Sequence, residues 1–293
     1  MIDELTQANG VELCTEAFGD AGDPPLLLIG NSMLEWDAEL CERLAGAGRH
    51  VIRYDLRDTG CSTIVNPDKP AYSLRDLAAD AAALVAALGL ADAHVVGRGP
   101  GGWIAQLLAL DHPGTVRTLT LVGTRPTSPG KPDKDLPDHE PELMATLFGG
   151  PKPDWSDRNS VVENMVAAGR AYAGSGGFDE QAAREHFEAV FDRTAAALAD
   201  GVDLGAAQRA SQQGIQFGFM KSGGRWRKRL GKITAPTLVV HGEDDPFFPI
   251  GNGEALANEI PGARLLRLPG VGQELPPRAW DAFADALLVH TAS

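Results

Sequence analysis

Short, wholly apolar runs recur along the chain, and most are followed by a segment with helical periodicity. One lies at residues 26–29 and ends at Gly30, and a strand-like segment at residues 93–96, apolar apart from His94, also precedes a glycine. Runs of this kind, without alternating polar residues, are typical of strands buried on both faces of a sheet. Further strand-like segments lie at residues 11–18, 50–55, 116–122, 236–240 and 263–268. Their alternation with helices predicts an α/β fold with a mostly parallel central sheet and helices on both faces.

This alternation is interrupted in the middle of the chain. Residues 125–157 are rich in proline and charge, and residues 160–231 have helical signals with aromatic side chains spaced along them. The strand pattern then resumes. We therefore expect one core formed by residues 1–124 and 235–293, with a mainly helical cap inserted at residues 125–234.

Charge and composition exclude several classes of function. The 293 residues carry a formal net charge of −14 without a long basic cluster, so nucleic acid and anionic membranes are not expected partners. No apolar run approaches the roughly 20 residues of a membrane span, and no signal sequence is visible, which predicts a cytoplasmic protein. The three cysteines are expected to be reduced thiols. No metal-ligand spacing, dinucleotide motif or phosphate loop occurs, so we expect no metal and no cofactor.

The most informative segment lies between the predicted strand at residues 93–96 and the helix after it. It places Gly97, Gly99 and Gly101 at alternate positions. At such a junction the motif G-x-S-x-G forms a strained turn that presents a nucleophilic serine. Here both flanking glycines are present, whereas a third glycine takes the serine position.

Several segments besides this turn resemble the α/β-hydrolase superfamily, and within it the methylesterases of anthracycline biosynthesis (the aclacinomycin methylesterase group). The resemblance covers nearly the whole chain and implies the α/β-hydrolase fold with an inserted cap. The segments that carry it are FGD at 18–20, HVIRYDLRDTGCS at 50–62, AHVVG at 93–97, ALDHP at 109–113, PTLVV at 236–240 and LPGVG at 268–272.

The resemblance also implies where the catalytic groups of that family would lie. The family's acid corresponds to Asp245, with Asp244 as a one-residue alternative, and its histidine corresponds to Gln273. A glutamine amide does not accept a proton near neutral pH. The residue after the serine position, whose N–H would form half of the oxyanion hole, is Pro100, and proline has no N–H. We therefore expect a degenerate triad and no serine-triad hydrolysis.

The side chains that remain at the predicted site offer other chemistry. We count Arg98, Gln273 and Asp245 as catalytic candidates. Arg98 could pair with a carboxylate, phenolate or enolate, or could form a structural salt bridge instead. Asp245 is either a general base or a hydrogen-bond acceptor for Gln273, whose amide suits orienting a polar substrate. His139 and His186 belong to the predicted cap, and the sequence does not place them relative to the site.

Substrate-binding residues are expected at the ends of the strands and in the cap. Glycine at position 99 leaves room for a flat ligand to approach the main chain. Aromatic cap residues belong mostly to the core, although some could cover a bulky polycyclic ligand. The candidates are Gly30, Asn31, Ser32, Trp36, Gly99, Pro100, Trp103, Phe219 and Trp226.

These observations lead us to expect a cofactor-free, non-hydrolytic enzyme, such as a cyclase, isomerase or lyase, in natural-product biosynthesis. Its substrate, an aromatic polyketide or another polycyclic small molecule, is what the resemblance implies. Two alternatives stay open: a catalytically inactive protein that binds a small molecule or a partner, and a hydrolase with a serine-free mechanism. A homodimer also stays open.

Overall fold

The computed structural model describes residues 4–127, 133–214 and 224–292, and its centre is one twisted sheet. The strands are β1 (Glu4–Ala8), β2 (Val11–Phe18), β3 (Pro25–Ile29), β4 (His50–Tyr54), β5 (Ala93–Arg98), β6 (Val116–Val122), β7 (Thr237–Gly242) and β8 (Arg264–Leu268). They are ordered β1-β2-β4-β3-β5-β6-β7-β8 across the sheet. β2 pairs antiparallel with β1 and β4, and all other neighbours are parallel.

Helices cover both faces of this sheet. In the described residues they are α1 (Ala38–Gly46), α2 (Leu74–Ala87), α3 (Pro100–Asp111), α4 (Pro141–Phe148), α5 (Arg158–Tyr172), α6 (Glu180–Ala196), α7 (Leu204–Gln213), α8 (Gly251–Glu259) and α9 (Trp280–His290). Successive residues of β3 enter opposite cores: Leu27 and Ile29 pack with α2 and α3, whereas Leu26 and Leu28 pack with α1 and α9. This explains the wholly apolar strands and confirms the predicted fold class.

The N-terminal hairpin was not expected from the sequence. β1 is an edge strand with mostly exposed side chains, so its sequence lacks the apolar run of a central strand. Asn9 and Gly10 connect it to β2, and both have positive φ angles, 48° and 80°. Asn-Gly between two strand-like segments is a strong signal for a tight hairpin, and it could have identified β1.

Four helices, α4 to α7, lie between β6 and β7, where the sequence indicated a helical insertion. They pack in chain order, with α5 against α6 and α6 against α7. Val161 and Met165 of α5 and Phe191 of α6 form a small apolar core of their own. The boundaries of the cap stay a prediction. No helix within the described ranges is long and apolar enough to cross a membrane.

A buried ion pair joins this insertion to the sheet. Arg193 on α6 donates to the carboxylate of Asp55, which follows β4, at 2.6 Å. Asp55 is fully buried and also accepts the N–H groups of Met33 and Cys61. Burial raises the pKa of Asp55, and the positive charge of Arg193 opposes that shift. The pair therefore matters mainly because removing one partner leaves the other charge without compensation.

We expect the substitution Arg193→Met to lower the free energy of unfolding by about 3–5 kcal/mol, since it leaves the Asp55 carboxylate buried without its cation. Urea denaturation followed by circular dichroism measures the change. Arg158→Met is the control, because Arg158 pairs with Asp192 on the surface of the same insertion. Equal effects of the two substitutions would show that the buried pair does not hold α6 to the core.

Candidate active site

The glycine-rich turn forms the junction between β5 and α3. Gly99 has φ 52° and ψ −121°, a left-handed conformation that disfavours any residue with a Cβ. Its N–H donates to the Val122 carbonyl at 3.0 Å, and its carbonyl accepts from Thr124 Oγ1 at 2.7 Å. A Cβ at position 101 would overlap the main-chain oxygen of Ile29. The turn therefore keeps the shape of a nucleophile elbow, with glycine at its tip.

Gln273 lies beside the tip of this turn. A Cβ built on Gly99 would meet one group within 4 Å, the Gln273 amide nitrogen at 3.5 Å. That nitrogen donates to the carbonyl of Gly123 at 2.8 Å, and the amide oxygen is buried without a hydrogen-bond partner. The structure thus brings Gln273 next to Gly99 and leaves space where a side chain at 99 would stand.

Asp245, not Asp244, lies behind Gln273. Its Oδ1 accepts the N–H groups of Phe247 and Phe248 at 2.9 and 2.8 Å, and its Oδ2 lies 3.3 Å from His241 Nε2. A Cβ on Gly123 would be 3.2 Å from the Gln273 nitrogen and 3.8 Å from Asp245 Oδ2, so these two side chains meet at Gly123.

The carboxylate of Asp244 is directed elsewhere. It accepts hydrogen bonds from the main-chain N–H and the hydroxyl of Ser175, which lies in the loop after α5. These bonds lower the pKa of the Asp244 carboxyl. Ser175 therefore has a structural partner in this loop, in keeping with its position outside any strand-to-helix turn.

The loop after β3 faces the same turn and contains an unforeseen carboxylate. Asn31 directs its main-chain N–H to Glu35 Oε2 at 2.7 Å, and its side-chain oxygen is buried without a partner. Ser32 is buried nearby. A Cβ on Gly30 would be 2.5 Å from Glu35 Oε2, so the carboxylate would have to shift if position 30 carried a side chain. Pro100 begins α3 and contributes no N–H.

Arg98 links the loop after β3 to the loop after β8, so its guanidinium is engaged by the protein itself. Its guanidinium donates to the main-chain carbonyl of Glu35 at 3.0 Å and to that of Gln273 at 3.3 Å. Its Nε is 4.0 Å from Glu35 Oε1. These contacts support the structural alternative for Arg98, because both carbonyl partners belong to the protein itself.

Two side chains of the inserted helices lie near this group. Tyr172, at the end of α5, accepts the N–H of Gln273 on its carbonyl at 3.0 Å. Burial raises the pKa of its phenol, and the negative charges of Asp245 and Glu35 raise it further. Burial and then the positive charge of Arg98 lower the pKa of His186 on α6 to about 4. The His186 ring packs against the edge of Phe187, with ring centroids 5.1 Å apart.

His139 lies at the other side of Asp245. It stacks on Phe247 with ring centroids 4.3 Å apart, and its Nδ1 contacts the Phe247 carbonyl. Burial lowers its pKa, so the ring is neutral at pH 7. A structural partner therefore occupies one nitrogen of His139.

The three tryptophans among the predicted ligand contacts pack in the core, which was the other possibility for aromatic residues, and their contact with a ligand stays a prediction. Trp36 stacks on Phe283, Trp103 contacts the edge of Phe248, and Trp226 donates to Gln106 Oε1 at 2.8 Å. At most 4% of each tryptophan is exposed. The periodicity of a helical segment does not distinguish an inward from a pocket-facing aromatic residue. Phe219 lies outside the described residues.

A cleft of about 470 Å³ opens beside the site, between α4, the end of α5 and the loop after β7. Its lining is largely acidic and includes Asp245 but neither Arg98, Gly99 nor Gln273. The described lining residues are Glu140, Glu142, Leu143, Thr146, Ala171, Asp244, Asp245 and Pro246.

One group of side chains has the composition of a metal site. Among the described residues, the side-chain atoms of Cys14, Asp55 and Cys61 that could bind a metal lie within 4.8 Å of one another. However, the Arg193 guanidinium is bonded to Asp55 and lies 3.4 Å from Cys14 Sγ. A protein cation thus already neutralises this cluster, and we assign it no metal.

Comparisons with known proteins agree with the fold. Residues 26–275 match the family model described as alpha/beta hydrolase fold. The chain belongs to the α/β-hydrolase family. It is similar to rhodomycin D methylesterase DnrP of Streptomyces peucetius, with 33% identity over 96% of this chain and 95% of that protein. It is also similar to a putative carbamate hydrolase of Variovorax paradoxus, with 30% identity over 88% and 87% of the two chains. A bromoperoxidase structure from Bacillus anthracis superposes with a TM-score of 0.74 at 21% identity, covering all of both chains, and shows the fold alone.

These relatives overturn the functional expectation drawn from the sequence. They are named as a methylesterase and a carbamate hydrolase, so the expectation of a non-hydrolytic cyclase, isomerase or lyase is wrong. Neither name supports a catalytically inactive binding protein. The residues at 99, 100 and 273 do not exclude hydrolysis in general. They argue only against hydrolysis by a serine triad.

We expect Gly99→Ala to lower the free energy of unfolding by about 1–3 kcal/mol, because a Cβ at this φ is strained although the space around it is open. Urea denaturation measures the difference. Gly114→Ala is the control, since Gly114 is exposed, has no positive φ and has no neighbour within 4 Å of a Cβ. A Gly99→Ala protein as stable as the control would contradict a strained turn.

Proposed function

We propose that this protein hydrolyses a carboxylic ester of a polycyclic aromatic compound, with water as the nucleophile. The observation that carries the proposal is the open space at the tip of the Gly99 turn, next to the Gln273 amide. In the α/β-hydrolase family this position presents the attacking group to the substrate. A serine hydroxyl is absent here because position 99 is glycine, and we propose that a water molecule takes the place of that side chain.

The choice of substrate class rests on similarity. The relative that matches over nearly the whole chain is named a rhodomycin D methylesterase, and the match extends through both loops of the site. A methyl ester of an aromatic polyketide acid is therefore the first substrate to test. The chemistry needs only water: the carbonyl carbon gains a hydroxyl oxygen, the methoxy group leaves as methanol, and a carboxylic acid remains.

The side chains at the site can orient such a reaction without forming a covalent intermediate. The Gln273 amide nitrogen, the group nearest to a Cβ at position 99, can donate a hydrogen bond to the water. Gln273 cannot remove a proton from the water, so an ionised carboxylate of the site has to do so. Because Pro100 contributes no N–H, the developing oxyanion has one donor fewer than in related enzymes, which typically costs about 10²–10³ in rate.

We expect slow turnover for this reason. Hydrolases whose triad has been removed still exceed the uncatalysed rate by about 10³–10⁴, through binding and remaining electrostatic contacts. The test is incubation with the methyl ester of a tetracyclic aromatic polyketide acid, with the free acid and methanol measured by mass spectrometry. We expect both products to accumulate together above a protein-free control, and a fluorophosphonate to label no serine.

Two variants sharpen this test. Gly99→Ser restores a hydroxyl but neither a base at 273 nor an N–H at 100, and members of a triad act as a unit. We therefore expect Gly99→Ser to stay far below an ordinary esterase, with kcat under about 1 s⁻¹. Absence of ester cleavage by the wild-type protein across methyl, ethyl and p-nitrophenyl esters would contradict the proposal. Stoichiometric fluorophosphonate labelling of a serine would contradict water as the nucleophile.

A further inference from the structure

Glu35 is a carboxylate that the known motifs of this fold do not include, and the structure holds it in a defined position. Its Oε2 accepts the Asn31 N–H at 2.7 Å, and the Arg98 guanidinium lies 4.0 Å from its Oε1. Glycine at position 30 leaves the space that this conformation requires. About one fifth of the side chain, 22%, is exposed, so water reaches it.

The sheet places this carboxylate beside the Gly99 turn. β3 and β5 are parallel neighbours in which Ile29 pairs with Gly97. The start of α3 lies close to the loop after β3, since a Cβ on Gly101 would be 3.1 Å from the Gly30 nitrogen. Arg98, at the end of β5, donates to the main-chain carbonyls of Glu35 and Gln273, and the Gln273 amide nitrogen is the group nearest to a Cβ on Gly99. Glu35 therefore belongs to the loop that Arg98 ties to the Gly99 turn.

Asp245, the other carboxylate, is less suited to meet water. Its side chain has no exposed surface, and its Oδ1 already accepts two main-chain N–H groups. Its Oδ2 lies between His241 and Gln273, and Gln273 is the group nearest to Gly99. Glu35 is open to solvent, whereas Asp245 is shielded from it.

We propose that Glu35 is the general base of this site, which deepens the function proposed above and depends on it. Glu35 takes one proton from the attacking water as the oxygen–carbon bond forms. The tetrahedral intermediate then loses its alkoxide, and the proton on Glu35 passes to that oxygen to give the alcohol. Asn31 and Arg98 orient the carboxylate, so that one face of it stays directed toward the water.

The test compares Glu35→Gln with the wild-type protein on the same tetracyclic methyl ester. Glutamine keeps the size of the side chain and an oxygen to accept the Asn31 N–H, but it cannot take a proton. We expect kcat to fall by about 10²–10⁴-fold, the usual contribution of a general base, with KM little changed. The wild-type rate should decrease in acid, as the carboxylate becomes protonated, and this decrease should be absent in Glu35→Gln.

Two further variants separate catalysis from structure. Glu39→Gln changes an exposed acid in the first turn of α1 and should leave kcat and its pH profile unchanged. Glu35→Asp keeps the charge on a shorter side chain and should retain a reduced rate with the acid decrease present. Melting temperatures verify that each variant folds.

The outcomes distinguish this inference from the proposed function. If the wild-type protein cleaves the ester and folded Glu35→Gln cleaves it equally, Glu35 is a structural residue and only this inference fails. If the wild-type protein cleaves no ester, both fail. A fall in kcat with an unchanged acid decrease would also overturn the assignment, because another group would then be titrating.

Discussion

The candidate site depends on the close main-chain contact between the first turn of α3 and the end of β3. Glycine at 97 and 101 permits this contact, because a Cβ at either position would collide with a main-chain oxygen. The contact brings the first turn of α3 against Ile29 and Gly30, where the loop with Asn31 and Glu35 begins. Strand register and glycine spacing create this contact, so it does not depend on which residue occupies position 99.

Hydrogen bonds to main-chain carbonyls hold the surrounding loops in place. Arg98 joins the carbonyls of Glu35 and Gln273, and the N–H of Gln273 bonds to the carbonyl of Tyr172 at the end of α5. The loop after β3, the loop after β8 and the inserted helices are thus linked around Gly99. A site assembled in this way tolerates a change of its reactive side chain, because that side chain carries little of the structure.

The sequence was most informative for strands whose apolar pattern follows directly from burial on both faces of the sheet. β3 could be predicted because its two faces enter two different cores, whereas β1 was missed because an exposed edge strand needs no apolar run. Gly99, Asp245 and Gln273 could be placed by motif. Glu35 could not, since it joins the site through Arg98, which is distant from it in the sequence. The burial of Trp226 likewise depends on packing between distant segments, so its sequence position could not predict it.

Two glycines of this site have different consequences, and together they bear on what the protein can do. At position 99, glycine removes a side chain, and the Gln273 amide nitrogen is the nearest described group to a Cβ there. At position 30, glycine leaves room for the Glu35 carboxylate in its present position. Glycine at 99 removes the serine nucleophile as a route to ester cleavage. Glycine at 30 lies beside the Glu35 carboxylate, a polar group in the loop after β3. The missing serine therefore does not by itself determine the class of reaction, because hydrolysis needs a positioned nucleophile and a proton acceptor rather than one particular residue.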